Sequence, residues 1–141
     1  MVSGLNKDSV MKCFLAFWLV FVSFFSVGLH ANDAVLQQAY QSQQSDLQVQ
    51  GFGQVVKVLP DDNDGSKHQK FILKLNSGQT LLVAHNIDLA PRIPNLKVGD
   101  SVEFYGEYEW NKKGGVLHWT HKDPQNRHAH GWLKHNDQVY E

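Results

Sequence analysis

Histidine is the residue type of this 141-residue chain that is best suited to metal binding or acid–base chemistry. Seven of the eight histidines follow residue 31, and five of those fall between His118 and His135. A neutral imidazole binds borderline metals such as zinc, copper and nickel, and it also serves as a general acid or base. The one cysteine, Cys13, lies in an N-terminal apolar run, which excludes thiolate catalysis, internal disulfides and cysteine-ligated zinc from the rest of the chain. A metal site here would therefore use histidine and carboxylate ligands.

Alternating side chains in the segment 101–121 predict a strand hairpin that places His118 beside a carboxylate. Opposed residues share a face, so the apolar side chains of both strands must meet, and paired residue numbers must then sum to about 225. His118 then lies opposite Glu107, His121 lies opposite Phe104, and Trp119 lies in the core. A histidine beside a glutamate could bind a metal or act in acid–base chemistry. The alternative is a cross-strand ion pair on a solvated face.

The hairpin predicted between residues 69 and 84 brings two more histidines together. A turn at residues 76–78 makes paired residue numbers sum to about 153 to 155. His68 and His85 then lie side by side, or one step apart, at the open end of this hairpin. Two neutral imidazoles in that arrangement could chelate zinc, copper or nickel. Alternatively, each histidine bonds a backbone carbonyl at a strand end.

A third group of polar residues lies between His118 and His130. On an extended backbone His121 and Asp123 point the same way, and so do His128 and His130. Three ligands with one open coordination position are what a metal-dependent hydrolase requires. The predicted ligands of a divalent transition metal such as zinc are His68, His85, His118 and His121, and the candidate catalytic bases are Glu107 and Asp123. The alternative is a histidine-rich surface loop without a ligand.

Other familiar site motifs are absent from the sequence. Residues 61–65 resemble a calcium loop, but Phe71 occupies the place of the closing glutamate, so a turn is the better interpretation. The chain contains no Gly-x-Ser-x-Gly elbow, no phosphate-binding loop and no dinucleotide fingerprint. The formal net charge of −1 argues against a protein that coats phosphate backbones, so there is no strong nucleic-acid signal.

The N-terminal residues predict export. Lys12 precedes an apolar run over residues 13–29, and Leu29-His30-Ala31 can serve as a cleavage site. This pattern predicts a signal peptide over residues 1–31 and a periplasmic or secreted protein with no stable membrane anchor after cleavage. The alternative is an uncleaved anchor, because the apolar run is at the short limit of a spanning helix.

The elements that must position these side chains are mainly strands. Residues 32–46 predict a short helix or a loose leader, and residues 47–141 predict one domain with the two-residue period of strands. The five main strands cover residues 47–59, 69–75, 80–84, 101–110 and 116–121, and a short C-terminal hairpin covers 132–135 and 138–140. A long first strand interrupted at Gly51 and Gly53, with a gap after the third strand, favours a five-stranded OB-like barrel over a small sandwich.

The outer face of strands two and three commonly binds oligomeric ligands in OB-like barrels. The side chains predicted to contact such a ligand are Lys70, Ile72 and Lys74, with Tyr105 nearby. An aromatic ring flanked by cations suits a base or a sugar ring. The favoured function is therefore a binding module for an oligomeric or small polar ligand. The alternatives are a small metal-dependent hydrolase acting on phosphodiesters and a non-catalytic periplasmic metal-binding protein.

Several blocks of the sequence carry a resemblance to a known family. They are residues 58–65 (VLPDDNDG), 68–71 (HQKF), 85–92 (HNIDLAPR), 104–110 (FYGEYEW), 118–121 (HWTH) and 131–133 (GWL). From residue 51 to residue 140 the chain resembles an uncharacterised bacterial family of short exported proteins, catalogued as domain of unknown function 3465. The resemblance implies an exported protein with an OB-like domain, and it implies no activity.

Overall fold

The structure, a computed structural model, describes residues 27–141 of the chain. Most of the predicted signal peptide, residues 1–31, lies outside the described residues, so export stays a prediction. Within residues 27–141 no helix combines the length and the apolar character that crossing a membrane requires. Residues 32–46 were predicted as a short helix or a loose leader. The helix of the structure, α1, is Val27–Gln41, so it begins and ends five residues earlier than that segment, and it contributes Leu36 and Ala39 to the core.

The described part of the chain contains seven strands after α1. They are β1 (Leu47–Val58), β2 (His68–Lys74), β3 (Thr80–Asn86), β4 (Ser101–Glu109), β5 (Val116–His118), β6 (Trp132–His135) and β7 (Gln138–Tyr140). The first five close a barrel in the order β1-β2-β3-β5-β4, because β1 also pairs with β4. The β3–β5 pair is parallel and the other barrel pairs are antiparallel. The prediction of a mainly β protein with an OB-like barrel, an N-terminal helix and a short C-terminal hairpin is confirmed.

The long strand β1 closes the barrel because it bends and pairs with two partners. Residues 47–54 pair with β4, and residues 54–58 pair with β2. The register shift lies between Val55 and Lys57, not at the glycines where the sequence suggested an interruption. Glycine is needed at position 51 for a different reason. A Cβ atom there would lie 2.6 Å from Cζ of Phe104, so the ring of Phe104 requires a residue without a side chain.

Strand β4 separates the barrel core from the outer surface by strict alternation. Val102, Phe104 and Tyr108 are fully buried inside the barrel. The residues between them, Glu103, Tyr105, Glu107 and Glu109, therefore lie on the outer face of β4. Strands β6 and β7 extend the sheet outside the barrel, with β6 pairing with β4.

Strand β5 ends at His118 instead of continuing to His121 as the sequence predicted. Trp119 has a φ angle of 54°, a left-handed conformation that breaks the alternation of the strand. Trp119 is consequently half-buried on the outer surface, so its predicted place in the core is wrong. The predicted partner of Phe104 is also wrong, because Leu133 of β6 takes the position opposite Phe104 that His121 was expected to occupy.

Candidate functional site

The pairing of β4 with β5 assembles a cluster of one histidine and two glutamates on the outer face of the barrel. Glu107 lies opposite His118, which confirms the predicted register, and Glu109 lies opposite Val116. His118 Nε2 lies 3.2 Å from Glu107 Oε2 and 3.4 Å from Glu109 Oε1. The sequence interpretation included His118 and Glu107 but missed Glu109, although its spacing of two from Glu107 places it on the same face.

The ligand atoms of this cluster converge on a small region. One atom from each of Glu107, Glu109 and His118 lies within 4.8 Å of the other two, and all three residues are half-buried. His118 Nε2 is itself buried and lies within ion-pair distance of both carboxylates, as in the alternative interpretation of a cross-strand ion pair, but among residues 27–141 it meets no acceptor with hydrogen-bond geometry. Two carboxylates and an imidazole nitrogen arranged in this way are a ligand set for a divalent cation.

The loop formed by residues 122–131, the 122–131 loop, brings a second histidine beside Glu107, although this histidine is not one of the three converging residues. His128 Nε2 lies 3.5 Å from Glu107 Oε1. The His128 ring stacks on Trp119, with ring centroids 4.1 Å apart and an angle of 10° between the planes. This loop therefore covers part of the outer face of β4 and β5. The sequence interpretation noted His128 but did not place it with Glu107, because the position of a loop does not follow from strand alternation.

Asp123 stabilises the 122–131 loop from within. Its carboxylate accepts hydrogen bonds from the backbone N–H groups of Gln125 at 2.9 Å, Arg127 at 2.8 Å and His128 at 2.8 Å. These backbone hydrogen bonds, with the one from Gln125 the largest, lower the pKa of Asp123. Because all three hydrogen bonds hold the backbone of the loop, Asp123 has a structural role, and the predicted role of catalytic base does not fit the surroundings of Asp123.

The second predicted pair of histidines is not brought together on one face of the sheet. His68 lies opposite Asn86, and His85 lies opposite Gln69, so the two histidines are one step apart and on opposite faces of the sheet. The His85 ring donates from Nε2 to the Pro91 carbonyl at 2.9 Å and accepts the Thr120 hydroxyl at Nδ1, 2.7 Å away. Both nitrogens of His85 are therefore engaged, and the prediction of His85 as a metal ligand does not fit its position.

His68 and His121 also bond backbone carbonyls. His68 Nδ1 donates to the Ser66 carbonyl at 2.8 Å, which agrees with the alternative interpretation of His68 as a strand-end residue. His121 is buried, and its Nδ1 donates to the Lys122 carbonyl at 2.6 Å. Neither residue belongs to the group formed by Glu107, Glu109 and His118. Of the four predicted metal ligands, the structure brings His118 alone into that group within residues 27–141.

The buried His85 predicts a loss of stability in mild acid. Burial lowers the pKa of His85 to about 4, so the folded protein holds this ring neutral while the unfolded chain is protonated below about 6.5. The unfolded state binds more protons between these values, so the unfolding free energy falls as the pH drops from about 6.5 to about 4, by about 3 kcal/mol. Urea unfolding of the wild type at pH 7 and pH 4 measures this change.

A His85→Gln variant provides the comparison for this pH dependence. Glutamine retains hydrogen-bonding capacity but does not titrate, so the variant should lose less stability than the wild type over the same pH range. His68→Gln is the matched control and should retain the wild-type dependence. Identical pH dependence in the wild type and His85→Gln would show that His85 does not cause the effect.

One of the predicted contact residues on β2, Ile72, lines a small cavity. Lys70, Ile72 and Lys74 lie on the outer side of β2. A cavity of about 210 Å³ beside Ile72 is lined by residues of β2, β3 and the flanking loops: Leu59, Ile72, Thr80, Leu82, Asn111, Lys113 and Gly115. Tyr105 lies on β4 and packs beside Trp132 of β6, with ring centroids 6.3 Å apart. The structure therefore keeps Lys70 and Lys74 on one strand but does not bring Tyr105 into their surface.

Comparison with known proteins places the chain in a family. The model of a family described as protein of unknown function, DUF3465, matches residues 18–141. No curated protein matches the chain. The match covers most of the 141 residues, and it includes β4, β5 and the 122–131 loop, which together carry the histidine–glutamate cluster. The chain therefore belongs to the DUF3465 family of proteins of unknown function.

Proposed function

We propose that this protein is an exported OB-barrel protein that binds a divalent transition metal through His118, Glu107 and Glu109. The observation that carries the proposal is the position of His118 Nε2, which is buried between two carboxylates without a hydrogen-bond partner in the described residues. A buried polar atom without a partner lowers stability. A bound metal ion would satisfy this nitrogen and neutralise the repulsion between the two glutamates.

The donor atoms favour a particular class of metal. One imidazole nitrogen and two carboxylate oxygens suit zinc, cobalt, nickel or manganese, whereas magnesium and calcium prefer all-oxygen sites. The group of Glu107, Glu109 and His118 contains no sulfur ligand of the kind that would favour copper(I). Zinc is the first ion to test, since it is bound by both imidazole and carboxylate ligands.

The proposed location is the periplasm or the extracellular medium. The support is the sequence pattern of Lys12, the apolar residues 13–29 and the small residue Ala31. A metal site built from histidine and carboxylate ligands suits that location, because it contains no thiol that could be oxidised.

Metal binding is better supported than hydrolysis. A hydrolytic site needs an open coordination position and a base that can activate water. Asp123, one candidate base, accepts hydrogen bonds from three backbone N–H groups. Glu107, the other candidate base, lies 3.2 Å from His118 Nε2, so both residues could bind the same metal ion. We therefore assign Glu107 to metal binding and propose no turnover.

Metal titration of the purified, chelator-treated protein tests this proposal. Zinc titrated by isothermal calorimetry should bind at one equivalent per chain, and that zinc should remain with the protein through gel filtration. Magnesium at the same concentrations should give no saturable binding, because the site contains an imidazole ligand. The proposal fails if zinc, cobalt, nickel and manganese all show no saturable binding to folded protein.

A second candidate function is the binding of an oligomeric or small polar ligand on the β2–β3 face. The specific observation is the cavity of about 210 Å³ that contacts Ile72, Leu82 and Lys113, at the place where OB folds bind oligomers. Lys70 and Lys74 lie on the same strand as Ile72, so the surface around the cavity favours an anionic ligand.

Titration with a labelled anionic oligosaccharide, oligogalacturonate, tests the second candidate. The double variant Lys70→Gln/Lys74→Gln should weaken binding by about tenfold at low salt, because exposed cations contribute below about 1 kcal/mol each. Lys122→Gln removes a cation that pairs with Glu141 elsewhere on the surface, and it should leave binding unchanged. Equal binding by the double variant and the wild type would exclude this face.

A further inference from the structure

The orientation of the His128 ring is fixed by its Nδ1 atom. Nδ1 lies 2.9 Å from the Ala129 carbonyl oxygen, which can only accept a hydrogen bond, so Nδ1 carries the proton. In the neutral ring Nε2 then presents a lone pair, and it faces Glu107 Oε1 at 3.5 Å. Two acceptors that face each other are a natural place for a cation. Metal-binding histidines are commonly oriented in this way, with the second ring nitrogen donating to a backbone carbonyl.

The 122–131 loop holds His128 at this position through its backbone. The N–H of His128 itself donates to Asp123 Oδ2, and the N–H of Gly131 donates to the His121 carbonyl. At Gly131 a Cβ atom would collide with the carbonyl oxygens of Trp119 and Tyr105, so the loop returns to the barrel in direct backbone contact with it. The backbone of the loop is therefore anchored on both sides of His128.

Trp119 supports the His128 ring from one side. Its left-handed backbone turns the indole away from the core and places it parallel to the imidazole at 4.1 Å. Stacking on one face of the ring, together with the Nδ1 hydrogen bond, leaves His128 Nε2 directed towards Glu107.

We propose that His128 is the fourth ligand of the metal centre and that the 122–131 loop closes the centre over the metal. This inference rests on the proposed function and adds to it the coordination class. His128 Nε2 lies beside Glu107 but outside the group of atoms within 4.8 Å of one another, so the metal would have to draw it towards the other three donors. Two imidazoles and two carboxylates would then make a four-coordinate set, the arrangement of closed zinc sites, whereas three protein ligands leave the open position that hydrolysis needs. The closed set favours zinc and cobalt over manganese and magnesium, and it makes the centre a binding site without turnover.

A His128→Phe variant tests the fourth ligand. Phenylalanine retains a flat ring that can stack on Trp119 but has no nitrogen, so it removes the ligand with little change in packing. We expect the zinc affinity to fall by at least about 10-fold. Replacing a residue that only hydrogen-bonds a metal ligand typically lowers the metal affinity by about 10- to 100-fold, and loss of a ligand itself should cost no less. The Co²⁺ form of the wild type should show the strong visible absorption of tetrahedral cobalt, and the variant should show weaker absorption. His68→Phe is the matched control, since His68 lies outside the cluster, and its zinc affinity should equal that of the wild type.

Nuclear magnetic resonance of ¹⁵N-labelled histidine gives a measurement that needs no substitution. On zinc addition, Nε2 of both His118 and His128 should shift, while Nδ1 of His128 should stay protonated. If His128→Phe binds zinc as tightly as the wild type and the His128 Nε2 signal does not move, the fourth-ligand inference is wrong and the proposed function stands. If the wild type binds no transition metal, the proposed function itself fails.

Discussion

Replacing His118 with glutamine should abolish stoichiometric zinc binding. His118 Nε2 is the atom on which Glu107 and Glu109 converge, at 3.2 Å and 3.4 Å, so its loss leaves two carboxylates without a nitrogen ligand. We expect the zinc affinity to fall by at least about 100-fold, because replacing a residue that only hydrogen-bonds a metal ligand already costs up to about 100-fold. Calorimetric titration and the zinc content after gel filtration measure this effect.

Matched variants separate loss of a ligand from loss of the fold. Glu107→Gln removes one ligand charge from the cluster and should also weaken zinc binding strongly. Glu103→Gln makes the same chemical change on the outer face of the same strand but outside the group of converging atoms, and it should bind zinc as the wild type does. Zinc affinity that is unchanged in His118→Gln, or equally reduced in Glu103→Gln, would contradict the assignment of the ligands.

Replacing Phe104 with alanine should remove about 3–5 kcal/mol of unfolding free energy. The Phe104 side chain is fully buried in the barrel, and its ring lies against Gly51 of β1, so truncation leaves a cavity that the rigid strands cannot fill. Domains of this size are typically stable by about 5–15 kcal/mol, so this change removes a large part of the total. Urea unfolding monitored by circular dichroism gives the value.

Phe52→Ala is the control for this prediction. Phe52 is half-buried on β1, opposite Glu103, and does not belong to the core cluster. Its truncation should cost less than about 1.5 kcal/mol, because part of the ring is already exposed to water. Equal losses for the two variants would show that Phe104 does not have the core role described for it.

The fold and the metal site depend on each other through β4. The inner side chains of this strand, such as Phe104, build the core, and its outer side chains Glu107 and Glu109 provide two ligands. Because the two sets alternate along one strand, a register slip of one residue would expose the core and bury the glutamates. The stability of the barrel core therefore also fixes the spacing of the ligands.

The hairpin register at the site could be predicted from sequence because it follows from local rules. Apolar alternation on residues 101–110 and 116–121 left one pairing that buries both apolar sets, and that pairing puts His118 opposite Glu107, although Trp119 itself does not lie in the core. The same rules placed His68 and His85 within one step of each other, but one step decides the face, and this single residue of register separated them.

The sequence by itself determined the strand period, the OB-like order and the neighbouring positions of Glu107 and His118, since alternation and turn length encode these locally. The tertiary structure alone decided that Trp119 leaves the core, that Asp123 folds the 122–131 loop and that His128 reaches Glu107. The physical reason is that a left-handed residue and a loop without periodicity take their positions from long-range backbone contacts, such as that of Gly131 with Trp119 and Tyr105. No repeating pattern in the sequence records such contacts.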